Sequence, residues 1–180
     1  MTKGFVYIAT SLDGFIARED GAIDWLMKQN TEGEDYGYDA FMDTVDGLVM
    51  GRGSYETVAG FDPWPYTKPV IVMSQSLTPE DIPDRLRGKV SLSRETPQAL
   101  MQRLEAEHWR AAYIDGGLMV QSFLRAGLID EITLTRVPVL LGSGKPLFGP
   151  LNADIDLVHT STKSYPSGLA LSTYRIKKPL

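Results

Sequence analysis

The chain has no cysteine and only two histidines, His108 and His159. Without thiols, disulfides, thiol catalysis and cysteine-ligated metals are excluded. Two histidines outside metal-motif spacing leave no typical zinc site, so no metal is expected. A run or stripe of Lys and Arg interleaved with aromatics is also missing, and the formal net charge is -5. That balance argues against a nucleic-acid groove and leaves room only for a local basic pocket for a small anion. No apolar stretch approaches a membrane span, and Met1-Thr2-Lys3-Gly4 leads straight into a strand-like run without the apolar core of a signal peptide. The expectation is a cytoplasmic protein with no membrane partner. A Ser-His-Asp or Cys-His set is absent, and Asp13, Asp24 and Asp35, scattered over loops, do not form the carboxylate pair of a glycoside hydrolase.

What is present is ordinary for a globular protein: 180 residues, 43% hydrophobic and 23% charged. That length predicts one domain, residues 1–180, around a single core. Phe5 to Thr10, Gly47 to Met50, Pro69 to Met73, Val90 to Ser93 and Ala112 to Asp115 are short apolar runs of strand length. The first reads as a strand buried on both faces. Helical spacing of Tyr38, Phe41, Met42 and Val45 predicts one helix, Thr96 to Trp109 a second with Pro97 in its first turn, and Met119, Val120, Phe123 and Leu124 a third that Gly127 closes. Lys28 to Tyr38 reads as a loop or a frayed helix start. From Glu131 the rhythm changes to alternation, in Glu131 to Val137 and Leu169 to Ile176, with Leu157 to Ser161 a weaker strand and Tyr165-Pro166-Ser167-Gly168 a hairpin turn. The pattern predicts an α/β fold in three layers, helix–sheet–helix, with a mostly parallel sheet and an antiparallel C-terminal hairpin.

In such sheets ligands sit beyond the C-terminal ends of the parallel strands. Four junctions gather there: the loop with Ser11 and Asp13, Gly51-Arg52-Gly53-Ser54, the hydroxyl cluster Ser74-Gln75-Ser76, and Gly116-Gly117. Ser54 is placed to cap the helix that follows it. Gly116-Gly117 has two readings, a tight strand-to-helix turn that Gly permits or an anion site at a helix N-terminus. Beside Arg52 and a second glycine-bearing helix start, the pair suits a pyrophosphate, and the hydroxyls with Arg94 suit a further phosphate.

These motifs resemble the dihydrofolate reductase-like superfamily, and within it the branch of the C-terminal reductase domain of the bifunctional riboflavin biosynthesis deaminase/reductase. The resemblance is carried by Ser11-Leu12-Asp13-Gly14, Gly51 to Glu56, Ile114-Asp115-Gly116-Gly117, Leu124 to Glu131 and Pro138 to Phe148, in the family's order along nearly the whole chain. It implies an NADPH-dependent reductase of a small heterocyclic (pteridine- or pyrimidine-like) or carbonyl substrate, and a homodimer. The implied cofactor contacts are Thr10, Ile16, Gly51, Arg52, Gly53, Ser54, Ser74, Gln75, Ser76, Arg94, Gly116, Gly117, Leu118 and Met119. The resemblance also implies a cis bond between Gly116 and Gly117. Phe15, Trp25 and Tyr55 are expected at the substrate, and Asp13 and Asp35 as catalytic carboxylates, with Asp39 competing for the place of Asp35. Riboflavin-pathway reductases commonly carry Lys or Thr where Phe15 stands, and the deaminase half is missing. Two alternatives therefore stay open: a 5-amino-6-(5-phosphoribosylamino)uracil reductase, and an NADPH-binding protein without turnover.

Overall fold

The short apolar runs become strands because each is bounded by glycine or polar turn residues that end the ladder. The computed structural model describes residues 1–178. Its strands are β1 (Lys3–Ser11), β2 (Phe15–Ala17), β3 (Gly47–Gly51), β4 (Val70–Met73), β5 (Val90–Ser93), β6 (Ala111–Asp115), β7 (Glu131–Val137), β8 (Lys145–Pro146), β9 (Leu157–Ser164) and β10 (Ala170–Ile176). Its helices are α1 (Asp24–Met27), α2 (Tyr38–Thr44), α3 (Arg52–Ala59), α4 (Pro97–Ala106) and α5 (Gly117–Arg125). Eight strands form one sheet in the order β5-β4-β3-β6-β1-β7-β10-β9. The first six run parallel, and β10 turns antiparallel between β7 and β9. A two-stranded ribbon, β2 against β8, stands apart from the sheet.

Strand alternation sorts side chains onto two faces. Val6, Val49, Ala112 and Ile114 pack with Leu100 and Leu104 of α4 and Val120 and Phe123 of α5. On the opposite face Leu48, Met50, Val72 and Tyr113 pack with Phe41 and Met42 of α2 and Tyr55 and Val58 of α3. A third cluster closes the antiparallel end, where Trp25, Val137, Tyr165 and Leu169 meet Ala9 and Leu171. The three layers are those expected from the sequence.

Three boundaries differ from expectation. The helix expected to reach Trp109 ends at Ala106, because His108 turns to φ 67° and the Trp109 N–H returns to the Leu104 carbonyl. The indole of Trp109 then lies against Gly47, where an added Cβ would meet its ring at 2.2 Å. Strand β9 runs three residues beyond the expected Ser161, since β10 pairs with it to Ser164. All eight of its residues are exposed, so burial never imposed the alternation that betrays a strand in sequence. Ser54 does not cap α3: the helix begins three residues earlier than that cap implies, with Gly51 at the cap and no side-chain cap bond.

Candidate functional site

Two helices start at the C-terminal rim of the sheet, and both have glycine at the N-cap. α3 follows β3 through Gly51, α5 follows β6 through Gly116, and neither has a side-chain cap. The first N–H groups of a helix have no intrahelical partner, and the helix dipole makes that end positive. The adjacent parallel strands β3 and β6 bring the two starts side by side. A Cβ on Gly116 would come within 2.5 Å of the Ser54 Oγ, and a Cβ on Gly51 within 3.3 Å of Met119. Gly116 sits at φ 96°, ψ 146°, a conformation open essentially to glycine alone. Its own backbone makes the turn, and the Gly116–Gly117 bond is trans rather than the cis bond the resemblance implied; the cis peptide among the described residues is Asp62–Pro63.

Arg52 opens α3 with its guanidinium in solvent, bonded to Glu56 at 2.5 Å and to the Ser76 hydroxyl at 2.9 Å. The buried Ser74 hydroxyl organises the next loop by accepting from the Ser76 and Leu77 N–H groups. Gln75 donates to the Arg94 carbonyl, and Arg94 is exposed beyond β5. Gly53 faces open space, and Leu118 in the first turn of α5 is 76% exposed. Arg52, Gly53, Ser54, the Ser74–Ser76 loop, Gly116 to Met119 and Arg94 therefore share one rim, as expected. Thr10 is buried within β1 at 2% exposure, so its side chain is not on that surface.

The β2–β8 ribbon covers the far side of α5. A Cβ on Gly117 would meet the Pro146 carbonyl at 2.5 Å and Ile16 Cδ1 at 3.2 Å. Asp13 pins the ribbon's loops: it accepts from the Ser11 hydroxyl at 2.6 Å, the Gly142 N–H at 2.8 Å and the Leu141 N–H at 3.1 Å. The Ser11 hydroxyl, and then those two N–H groups, hold the Asp13 carboxyl below the ordinary carboxylate range. Its lone pairs are engaged in joining two loops. Phe15 is half-buried on β2 beside this tie.

The remaining expected groups lie elsewhere. Trp25 is fully buried in the third core cluster, and Tyr55 is 3% exposed under α3; both are core residues, and neither has a face toward a substrate. Each is expected at the substrate from the resemblance, but its helix turns it inward. Asp35 is exposed and accepts from the Gly37 N–H at 2.7 Å, a local turn that sets up α2, while its carbonyl accepts from the Tyr165 hydroxyl. Asp39 is likewise exposed in the first turn of α2.

One carboxylate at the rim is not among the residues expected there. Asp115 is the last residue of β6, and alternation points it with Tyr113 toward the α2 side. It keeps partial exposure, yet burial pushes its pKa up to about 6, while the Gly116 N–H and the Ser54 and Tyr113 hydroxyls pull partly back. In return Asp115 raises Tyr38, Tyr66 and Tyr113, after the larger effect of their own burial, with Tyr38 pushed up to about 12. The residue stood inside the Ile114-Asp115-Gly116-Gly117 motif, and the signal was a lone carboxylate at a strand end immediately before a helix N-terminus.

The family model described as the RibD C-terminal domain matches residues 2–171. The chain is 39% identical over 177 residues to the uncharacterized protein YwjB of Bacillus subtilis (strain 168), covering 96% of this chain and 98% of that one. A crystal structure named "Putative riboflavin biosynthesis protein" from Shewanella sp. PV-4 is 41% identical with a TM-score of 0.91, over 98% of this chain and 99% of that one. The deaminase/5-amino-6-(5-phosphoribosylamino)uracil reductase of Thermotoga maritima shares the fold at 13% identity and a TM-score of 0.69, over 98% of this chain and 57% of that one. With a family match along nearly its whole length, this chain belongs to the RibD C-terminal domain family.

Proposed function

We propose that the rim binds NADPH and that the protein is an NADPH-dependent reductase of a small heterocyclic or carbonyl compound. The observation that carries this reading is the pair of uncapped, glycine-started helices α3 and α5 standing side by side, with Arg52 at the first. Backbone N–H groups at two helix starts and one exposed guanidinium match the two phosphates of a pyrophosphate. The Ser74–Ser76 loop and Arg94 offer hydroxyls and a cation for a 2'-phosphate. NADPH supplies a hydride from C4 of its nicotinamide ring. The chain's part is to hold the cofactor's phosphates, to place the ring between α5 and the substrate, and to exclude water with the β2–β8 ribbon, which Asp13 fixes over Gly117. In this reading Asp13 is a positioning residue. Phe15 on the ribbon favours a more apolar substrate than a phosphoribosyl compound. One cytoplasmic domain acting as a homodimer belongs to the same reading.

The test is NADPH titration by nicotinamide fluorescence in wild type and Arg52→Ala. A charge-assisted phosphate contact contributes about 1.5–3 kcal/mol, so the variant is expected to bind roughly 10- to 100-fold more weakly. Unchanged affinity would place the phosphates elsewhere.

A further inference from the structure

At the N-terminal ends of β4 and β5, opposite the glycine-bearing rim, the segment that leads into β4 carries three prolines, Pro63, Pro65 and Pro69. From Pro63 to Pro69 its residues alternate between exposed and half-buried, and proline, which fixes φ, holds such a segment extended. The half-buried set is Trp64, Tyr66 and Lys68, and the Trp64 ring meets Tyr66 edge-on at 5.3 Å. The turn into β5 runs beside it, tied by the Val70 N–H to the Lys89 carbonyl at 3.0 Å and by the register of Val70 with Val90. Between the two segments opens a cleft of about 510 Å³, walled by Pro63, Trp64, Tyr66, Lys68, Pro69 and Lys89. The four residues of β4, about 13 Å of strand, separate it from the Ser74–Ser76 loop.

The walls of the cleft carry two positive charges and no negative one. Lys68 donates to the Val45 carbonyl and Lys89 is exposed, and neither ammonium is paired with a carboxylate among the described residues. Asp46, on which Lys68 acts, accepts from the Arg110 and Ala111 N–H groups at 2.6 and 2.9 Å. Asp84 pairs with Arg87 at 3.0 Å, and Asp62, one residue before Pro63, is exposed. Burial raises the pKa of the Tyr66 hydroxyl, so that ring stays neutral. Two ammoniums at adjacent strand starts, beside two aromatic rings, suit a ligand that is flat at one end and doubly negative at the other. The prolines hold these walls in place before any ligand arrives, which lowers the cost of ordering them.

We propose that this cleft is a second ligand site, which takes a mononucleotide with its base against Trp64 and Tyr66 and its phosphate at Lys68 and Lys89. The site is separate from the NADPH reading and stands whether or not that reading holds. An ammonium has several N–H donors, so Lys68 keeps the Val45 carbonyl and has donors to spare for a phosphate oxygen. The phosphate gains from both cations and the base from the ring faces. A nucleoside lacks the first gain and inorganic phosphate the second, so each binds more weakly than the nucleotide.

The experiment titrates the full chain by isothermal calorimetry at neutral pH with adenosine 5'-monophosphate, adenosine and inorganic phosphate. Saturable binding of the nucleotide is expected, with adenosine and phosphate each about tenfold or more weaker. Lys89→Glu reverses an exposed charge without touching the core, and it is expected to weaken nucleotide binding about tenfold or more. Trp64→Leu removes one ring wall and is expected to weaken it too; Lys89→Glu keeps the test valid if that variant fails to fold. Because the nucleotide is also a part of NADPH, the titration is repeated with Arg52→Ala, in which a Lys89-dependent site is expected to survive unchanged. Absence of nucleotide binding to wild type, equal binding to Lys89→Glu, or adenosine or phosphate binding as tightly as the nucleotide overturns the proposal. Binding that Arg52→Ala weakens and Lys89→Glu does not would put the nucleotide on the opposite rim, and overturns it as well.

Discussion

Asp115 makes a prediction in which stability and pH move in an unusual direction. Its carboxyl rises from the ordinary 3.8 to about 6 because folding buries it at the end of β6, against the partial pull of the Gly116 N–H and the Ser54 and Tyr113 hydroxyls. The folded state therefore holds a proton between about pH 4 and pH 6 that the unfolded chain has released, and stability falls as pH rises through that window. At about 1.4 kcal/mol per pH unit the loss amounts to about 3 kcal/mol, of which about 2 falls between pH 4 and pH 7. That is a large share of the roughly 5–15 kcal/mol that holds a domain together. Asp115→Asn keeps the shape and removes the titration. Urea unfolding of both proteins at pH 4, 5, 6 and 7 isolates the effect, because every other titrating group is common to the pair and cancels in the difference. The variant is expected to gain on wild type by about 1 M in urea midpoint between pH 4 and pH 7, taking a slope of about 2 kcal/mol per molar. A difference that stays flat across those pH values would refute the burial of Asp115 at the end of β6, and with it the account of why this carboxylate is poised near neutrality.

Two further outcomes follow from the rim. Gly116→Ala forces a side chain into a conformation reserved for glycine and against the Ser54 Oγ at 2.5 Å; a loss of about 1–3 kcal/mol from the backbone alone is expected. In a Ser54→Ala background the crowding part is relieved and the backbone part stays, and an unchanged melting temperature in both would show that the turn is made another way. Asp13→Ala releases the Leu141 and Gly142 N–H groups, so their amide hydrogen exchange is expected to accelerate while that of β6 does not change. Because the folded pKa of Asp13 is lowered, the tie is complete above the unfolded value of about 4 and is lost as pH falls through the folded one. Protected Leu141 and Gly142 amides in Asp13→Ala would remove Asp13 from its positioning role.

Most of the sheet strands, as runs along the chain, and the place of the rim were readable from local features. Gly51 and Gly116 end apolar runs, and an abrupt glycine after such a run marks a chain about to turn into a helix. The motifs around Arg52, Ser74 and Gly116 could be grouped because a parallel sheet places all strand ends on one edge. Side-chain direction was another matter. Trp25 and Tyr55 lie near the rim in chain order but are turned into the core, and Asp13 spends its carboxylate on N–H groups 128 and 129 residues away. Strand β9 was half visible because an edge strand with every residue exposed carries no burial pattern.

The sequence by itself determined the layer architecture, the parallel-then-antiparallel sheet and the two glycine helix starts, since these depend on periodicity and on backbone freedom at single residues. Only the tertiary structure decided what each carboxylate does. Asp13, Asp35 and Asp115 are alike as residue types, but one is held ionised by the Ser11 hydroxyl and by donors from a distant loop, one caps its own turn, and one is lifted to about 6 by burial at the end of β6. A carboxylate's chemistry is set by the dielectric and the donors around it, and those neighbours are assembled only when the chain folds.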